Sequence, residues 1–200
     1  MRVAFGLKAH SGWAALVVLG AGAGRLEVVD RRRLELVREA EAGWAKQPYH
    51  AAEELKEADA RRMVERAVRA SQDQAAGAIR EAVRRARDGG HDIRGCALLM
   101  GAPMPEWSVA EILAVHFRMH QAEGALFRDA LAAAATGSGL RLVPIPEKSL
   151  GVEAGRRLAA DPKTLARTIA ELGKAAGPPW GKDQKDAGLA AWIALEGKTG

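Results

Sequence analysis

Asp183 and Asp186 stand three residues apart where a helical pattern begins, so their carboxylates share one side of a first turn and could share a cation or a partner. A helix start selects for the same pair on its own account, because Asp is a favoured cap and a second acid complements the helix dipole. His116, His120 and Glu123 form an i, i+4, i+7 stripe, which can offer two imidazoles and a carboxylate to one ion. The stripe departs from the zinc-protease sequence, since Phe117 and Arg118 follow His116. It also runs beside Ile112, Val115, Met119 and Leu126, which favours boundary histidines bonded to neighbouring backbone. Arg61, Arg62, Arg66, Arg69, Arg80, Arg84, Arg85 and Arg87 lie away from the apolar face of one helical pattern, and guanidinium groups suit bidentate phosphate contacts. Asp59, Glu65, Asp73 and Glu81 are intrahelical partners for several of them. The stretch from Arg80 to Arg87 reads as less compensated, which makes Arg80, Arg84 and Arg85 the candidate nucleic-acid contacts. A solvated charged face is the competing reading.

The elements that must position these groups follow from periodicity. Arg2 to Leu7 and Trp13 to Leu19 are β-prone runs around a turn-rich segment, and alternation from Arg25 to Asp30 continues the meander. The glycine-rich Gly20 to Gly24 lies between strands and lacks a helix start to receive a phosphate, so it reads as a hairpin loop. Arg38 to Glu57 has no clear period and is expected as a long loop or irregular helix over a cleft. A first long helix carries Met63 to Val83 and stops at Gly89-Gly90. Ile93 to Met100 is apolar on both faces and suits a central parallel strand. Ser108 with Glu111 forms a capping box that predicts a helix running to about Thr136. Leu140 to Ile145 is a further strand, followed by helices over 162–176 and 184–196. The order βββ-α-β-α-β-α-α implies an α/β fold, a mixed five-stranded sheet with helices on both faces. Trp13 and Trp192 fall within elements and are expected in the core, whereas Trp44 and Trp107 are undecided between core packing and base stacking.

Composition bounds the reading. The chain has 200 residues with 48 % hydrophobic and 28 % charged residues, which excludes a disordered chain. No apolar run reaches the ~18 residues of a membrane span, and no signal peptide is recognised. No repeat or linker divides residues 1–200, so they read as one domain. One cysteine, Cys96, removes disulfide frameworks and multi-cysteine metal sites, and a cytoplasmic location is expected. The net charge of +5 permits an anionic partner without demanding one.

Three separated segments resemble the RuvC-type Holliday-junction resolvases, within the ribonuclease-H-like nucleases. Phe5 to Ala14, reading Phe-Gly-Leu-Lys-Ala-His-Ser-Gly-Trp-Ala, is similar to the family's opening strand and hairpin, with Lys8 at the position of a metal-binding Asp. Leu140 to Gly151, containing Val143-Pro144-Ile145-Pro146-Glu147-Lys148, resembles the late strand and the basic residue after it, so the resemblance implies Lys148 as a substrate contact. Asp183 to Ala190 resembles the final helix start, where two acids three apart help to hold catalytic metals. The family's further acid after the first parallel strand has no counterpart in Leu98-Leu99-Met100-Gly101. The resemblance implies a ribonuclease-H-like fold, branched DNA as partner, a homodimer, and Mg or Mn if the chain is active. With Lys8 at an ion position, the residues favour a nucleic-acid-binding pseudo-nuclease in which Lys8 pairs with Asp183 or Asp186. An active endonuclease recruiting Glu106 or Glu123 is the alternative. A protein-interaction scaffold without nucleic acid is the third.

Overall fold

Alternation in the first strand sets the architecture. In β1 (Arg2–His10), Val3, Phe5 and Leu7 enter one core and Ala4 enters another, which puts Gly6 and Lys8 on the second face by the period of two. β1 is therefore covered on both sides, as the centre of a sheet must be. The computed structural model describes residues 1–22 and 24–196. β2 (Trp13–Gly22) and β3 (Arg25–Glu35) continue the antiparallel meander, and β4 (Asp92–Met100) and β5 (Leu142–Pro146) add parallel strands, in the order β3-β2-β1-β4-β5. The expected mixed five-stranded sheet is present. β2 and β3 pair up to Gly22 and Arg25, so the expected hairpin loop narrows to a tight turn whose Ala23 lies outside the described residues. Gly24, in that turn, has φ +76°, a conformation that favours glycine.

Helices cover both faces. α1 (Ala42–Ala45), α2 (Pro48–Ala52), α3 (Glu57–Asp88), α4 (Val109–Leu113) and α5 (His116–Gly137) lie on one side, and α6 (Leu150–Leu158), α7 (Pro162–Ala176) and α8 (Lys182–Glu196) on the other. At 1.5 Å per residue α3 is about 48 Å long, more than a sheet of this size can cover. Its second half packs Ala75, Ile79 and Val83 on the sheet, while Ala60 and Val64 join Tyr49, Ile112 and Met119 in a separate cluster. The segment from Arg38 to Glu57, expected as a long loop or irregular helix, holds the short helices α1 and α2, with Ala45 of α1 in the sheet-side core and Tyr49 and Ala52 of α2 in the separate cluster. Its buried residues, Ala45, Pro48, Tyr49 and Ala52, include two alanines and a proline, too weakly apolar to stand out as a helical period in the sequence.

Two other expectations change. The helix starting at Ser108 is broken at Val115, which takes an extended conformation (φ −140°, ψ 111°) with its side chain 40 % exposed. Ile112 and Met119 still bury in one cluster across the break, and no Pro or Gly marks it in the sequence. α6 was unexpected, because Gly151 and Gly155 weaken its helical pattern. Trp192 is buried as expected, but Trp13 is half-buried, stacked 4.2 Å from His10 with the Arg33 guanidinium 3.9 Å from its ring centroid. Cys96 is fully buried and its thiol is pushed up to about 12 by desolvation, so it packs as an apolar group. No helix among the described residues is long and apolar enough to cross a membrane.

Candidate functional site

The site begins with a glycine. A Cβ on Gly6 would lie 1.8 Å from the Ala187 carbonyl oxygen and 2.6 Å from the Ala191 nitrogen, so only glycine lets the α8 backbone rest on β1. That close crossing carries the first turn of α8 to Lys8, two residues further along the same face. Lys8 is 4 % exposed. Its Nζ lies 2.7 Å from Asp186 Oδ2, 3.2 Å from Asp183 Oδ1 and 3.2 Å from Glu147 Oε1. The expected pairing of Lys8 with one acid of α8 is therefore present with both, and a third acid from the end of β5 joins them.

The charges are mutually satisfied. Lys182 also reaches Asp186 Oδ2, at 2.5 Å, and His10 Nε2 lies 3.1 Å from Asp183 Oδ1 without hydrogen-bond alignment. Desolvation alone would lower the Lys8 pKa, but bonds to Asp186, Glu147 and Asp183 outweigh it and hold the ammonium above its ordinary 10.5. Burial pushes the Asp186 carboxyl up, and Lys182 and Lys8 together overcome that and hold it below its ordinary 3.8.

Two divalent ions ~4 Å apart, as this chemistry uses, need carboxylates free to face them. Here three carboxylates face two ammonium groups, one of them at the centre of the cluster, so the residues do not fit a metal pair. Neither Glu106 nor Glu123 supplies a replacement. Glu106 is exposed and outside the group that touches Lys8, and Glu123 is buried elsewhere, against His50.

The histidine stripe is assembled differently from its sequence spacing. His116 and His120 meet His50 of α2, and one nitrogen from each of the three lies within 4.8 Å of the others. Glu123 does not join them as a ligand. It is 3 % exposed and accepts hydrogen bonds from the Nδ1 and the backbone N–H of His50, at 2.8 and 3.2 Å.

The basic candidates divide. Lys148 is exposed, directly follows Glu147, and makes no ion pair among the described residues. Arg80 is likewise exposed without an ion pair among them. Arg84 and Arg85 are more compensated than their sequence implies: Arg84 pairs with Glu81 and Asp88, and Arg85 with Glu81. Arg66 and Arg118 lie over Trp44 and Trp107, at 4.8 and 4.4 Å from the ring centroids, so a cation already covers one face of each ring. Sequence reasoning missed Glu147, His10 and His50. Glu147 had a signal, as the residue between the late strand and Lys148; His50, alone in an aperiodic stretch, had none.

No protein-family model matches the sequence, and no curated protein matches it. Solved structures do. The RuvC structure from Thermus thermophilus superposes with a TM-score of 0.51 at 13 % identity, over 95 % of this chain and 91 % of that one. T. thermophilus RuvC in complex with a Holliday junction substrate gives 0.52 at 12 % identity, over 96 % and 91 %. Identity at this level carries fold and not activity. The chain has the ribonuclease-H-like fold of these RuvC structures.

Proposed function

We propose that this chain binds nucleic acid, branched DNA in the first place, at the carboxyl end of its parallel strands, and that it does not cut what it binds. The observation that carries the reading is Lys8, whose ammonium lies within 3.2 Å of three carboxylates at the position where the RuvC resemblance implies a metal-binding Asp. An ion pair there consumes the charge that hydrolysis would direct at cations. Binding rests on separate support: the likeness to RuvC in complex with a Holliday junction substrate, the net charge of +5, and Lys148 exposed at the rim of the cluster. Arg80, and to a lesser degree Arg84 and Arg85, form a second basic patch on α3, on the opposite face of the sheet and toward the end that leads into β4. A twofold junction would be met by a twofold dimer of the chain.

The test uses a labelled four-way junction, a matched duplex and a single strand, in magnesium or manganese, with binding followed by mobility shift and cleavage on a denaturing gel. The expected result is junction binding with intact strands. Lys148→Glu should weaken binding across sequences and reduce the salt slope by about one unit. Cleavage that disappears in Asp186→Asn would overturn the reading in favour of an active endonuclease. Absence of binding at low salt would leave a protein-interaction scaffold.

A further inference from the structure

We propose that His50, His116 and His120 form a site for one divalent transition ion, with zinc as the expected occupant. The inference is independent of the role of the Lys8 cluster and of nucleic-acid binding.

Three features converge on it. The first is assembly: α2 and the start of α5, more than sixty residues apart in the chain, bring three imidazoles together, with ring centroids separated by 4.7 to 5.1 Å. The rings are tilted or edge-on to one another, which turns their edges and ring nitrogens toward a common point. The second is spacing. His116 Nε2 and His120 Nε2 are 3.1 Å apart. Tetrahedral zinc with bonds of ~2.0–2.1 Å holds its ligand atoms about 3.3 Å apart, close to the His116–His120 spacing, and the three nitrogens, all within 4.8 Å of one another, need to close by at most about 1.5 Å. The third is Glu123. A carboxylate that is 3 % exposed needs a strong reason to be buried, and both of its observed bonds go to His50. A carboxylate on one ring nitrogen fixes the proton there and leaves Nε2 free to ligate, the arrangement that holds metal-bound histidines in place.

The donor set selects the ion. Three neutral imidazoles suit zinc and its late first-row neighbours and are poor ligands for magnesium or calcium, which take oxygen. His116 and His120 are exposed, so an ion has a path in, and a fourth position faces water. Bound there, the ion would tie α2 to α5 and fix the short helices between β3 and α3.

The experiment takes the full chain without an affinity tag, stripped with chelator and dialysed. Zinc uptake is measured by calorimetry against a competing chelator, and cobalt by its visible spectrum. The expected result is one zinc per chain and the absorption of tetrahedral cobalt. His116→Ala and His120→Ala, at exposed positions that leave the fold intact by circular dichroism, should abolish both. Glu123→Gln should weaken affinity about 10- to 100-fold. Asp183→Asn should leave uptake unchanged. Absence of saturable zinc uptake, uptake that survives both histidine variants, or uptake lost in Asp183→Asn each overturns the assignment.

Discussion

An ammonium taken out of water loses several kcal/mol of hydration, and Lys8 recovers it only because three carboxylates surround it. Lys8→Met keeps the stem and removes the charge, leaving those carboxylates facing one another. We expect a loss of about 2–3 kcal/mol in urea unfolding at neutral pH, less than for a wholly buried pair because Glu147 and Asp183 are partly solvated. The pH dependence has two limbs. The Asp186 carboxyl is held below its ordinary 3.8, so its contribution is full above that value and is lost as pH falls through the lowered one. The Lys8 ammonium is held above 10.5, so its contribution is full below that pH and is lost only as pH climbs through the raised value. Wild-type chain should therefore lose stability below about pH 4 more steeply than Lys8→Met, as read from urea midpoints across pH. Lys8→Asp reverses the logic: four carboxylates would face one point, and manganese should then raise the melting temperature of the variant while leaving wild type unmoved. Equal stabilisation of both would show that the Lys8 ion pair does not exclude the cation. The acids of α8 were legible in the sequence because three-residue spacing on a helix start is a local property. Glu147 had only its place beside Lys148 as a signal, because its role depends on where β5 ends relative to β1.

What brings those residues together is the contact between α8 and β1 at Gly6. Gly6→Ala would press a methyl group into the Ala187 carbonyl and lift the helix from the strand. The expected cost is about 1–3 kcal/mol, with the separation of Asp183 and Asp186 from Lys8 as its second effect. The variant should thus lose the Lys8-dependent part of the acid limb, so that Lys8→Met added to Gly6→Ala costs less than Lys8→Met alone. Additive losses would show that the crossing and the cluster are uncoupled. The start of α8, the end that carries both acids, is approached by a turn that Arg31 of β3 holds, its guanidinium donating to the carbonyls of Ala176, Gly177, Pro178 and Pro179 at 2.5 to 3.0 Å. Strands were readable at this level, since apolar alternation and apolar runs report burial directly. The break between α4 and α5 and the existence of α6 were not. The first has no breaker residue, and the second carries two glycines that its packing against α8 outweighs.

For the whole molecule, the fold was legible from element order, and the placement of charge was not. Sequence places Arg80 to Arg87 in one basic stretch, but Glu81 and Asp88 neutralise much of it in the folded chain. Arg84→Glu with Arg85→Glu should accordingly change the salt slope of junction binding less than Arg80→Glu with Lys148→Glu, measured by titration over a range of potassium chloride. The reverse order would place the nucleic acid along the paired arginines.

The two outermost strands restrict how copies of this chain can associate. β5 has five residues, and Pro144 and Pro146 deprive it of two backbone donors. β3, at the opposite margin, carries Asp30, Arg31, Arg32, Arg33 and Glu35 along its final half, interrupted only by the buried Leu34, with Arg31 already clasping the turn before α8. Neither margin offers the unpaired, uncharged ladder on which a second sheet could be extended, a device by which proteins resist fibrous aggregation. A twofold dimer of this chain would have to be built from helical faces, which leaves the sheet of each copy to end where its own chain ends it.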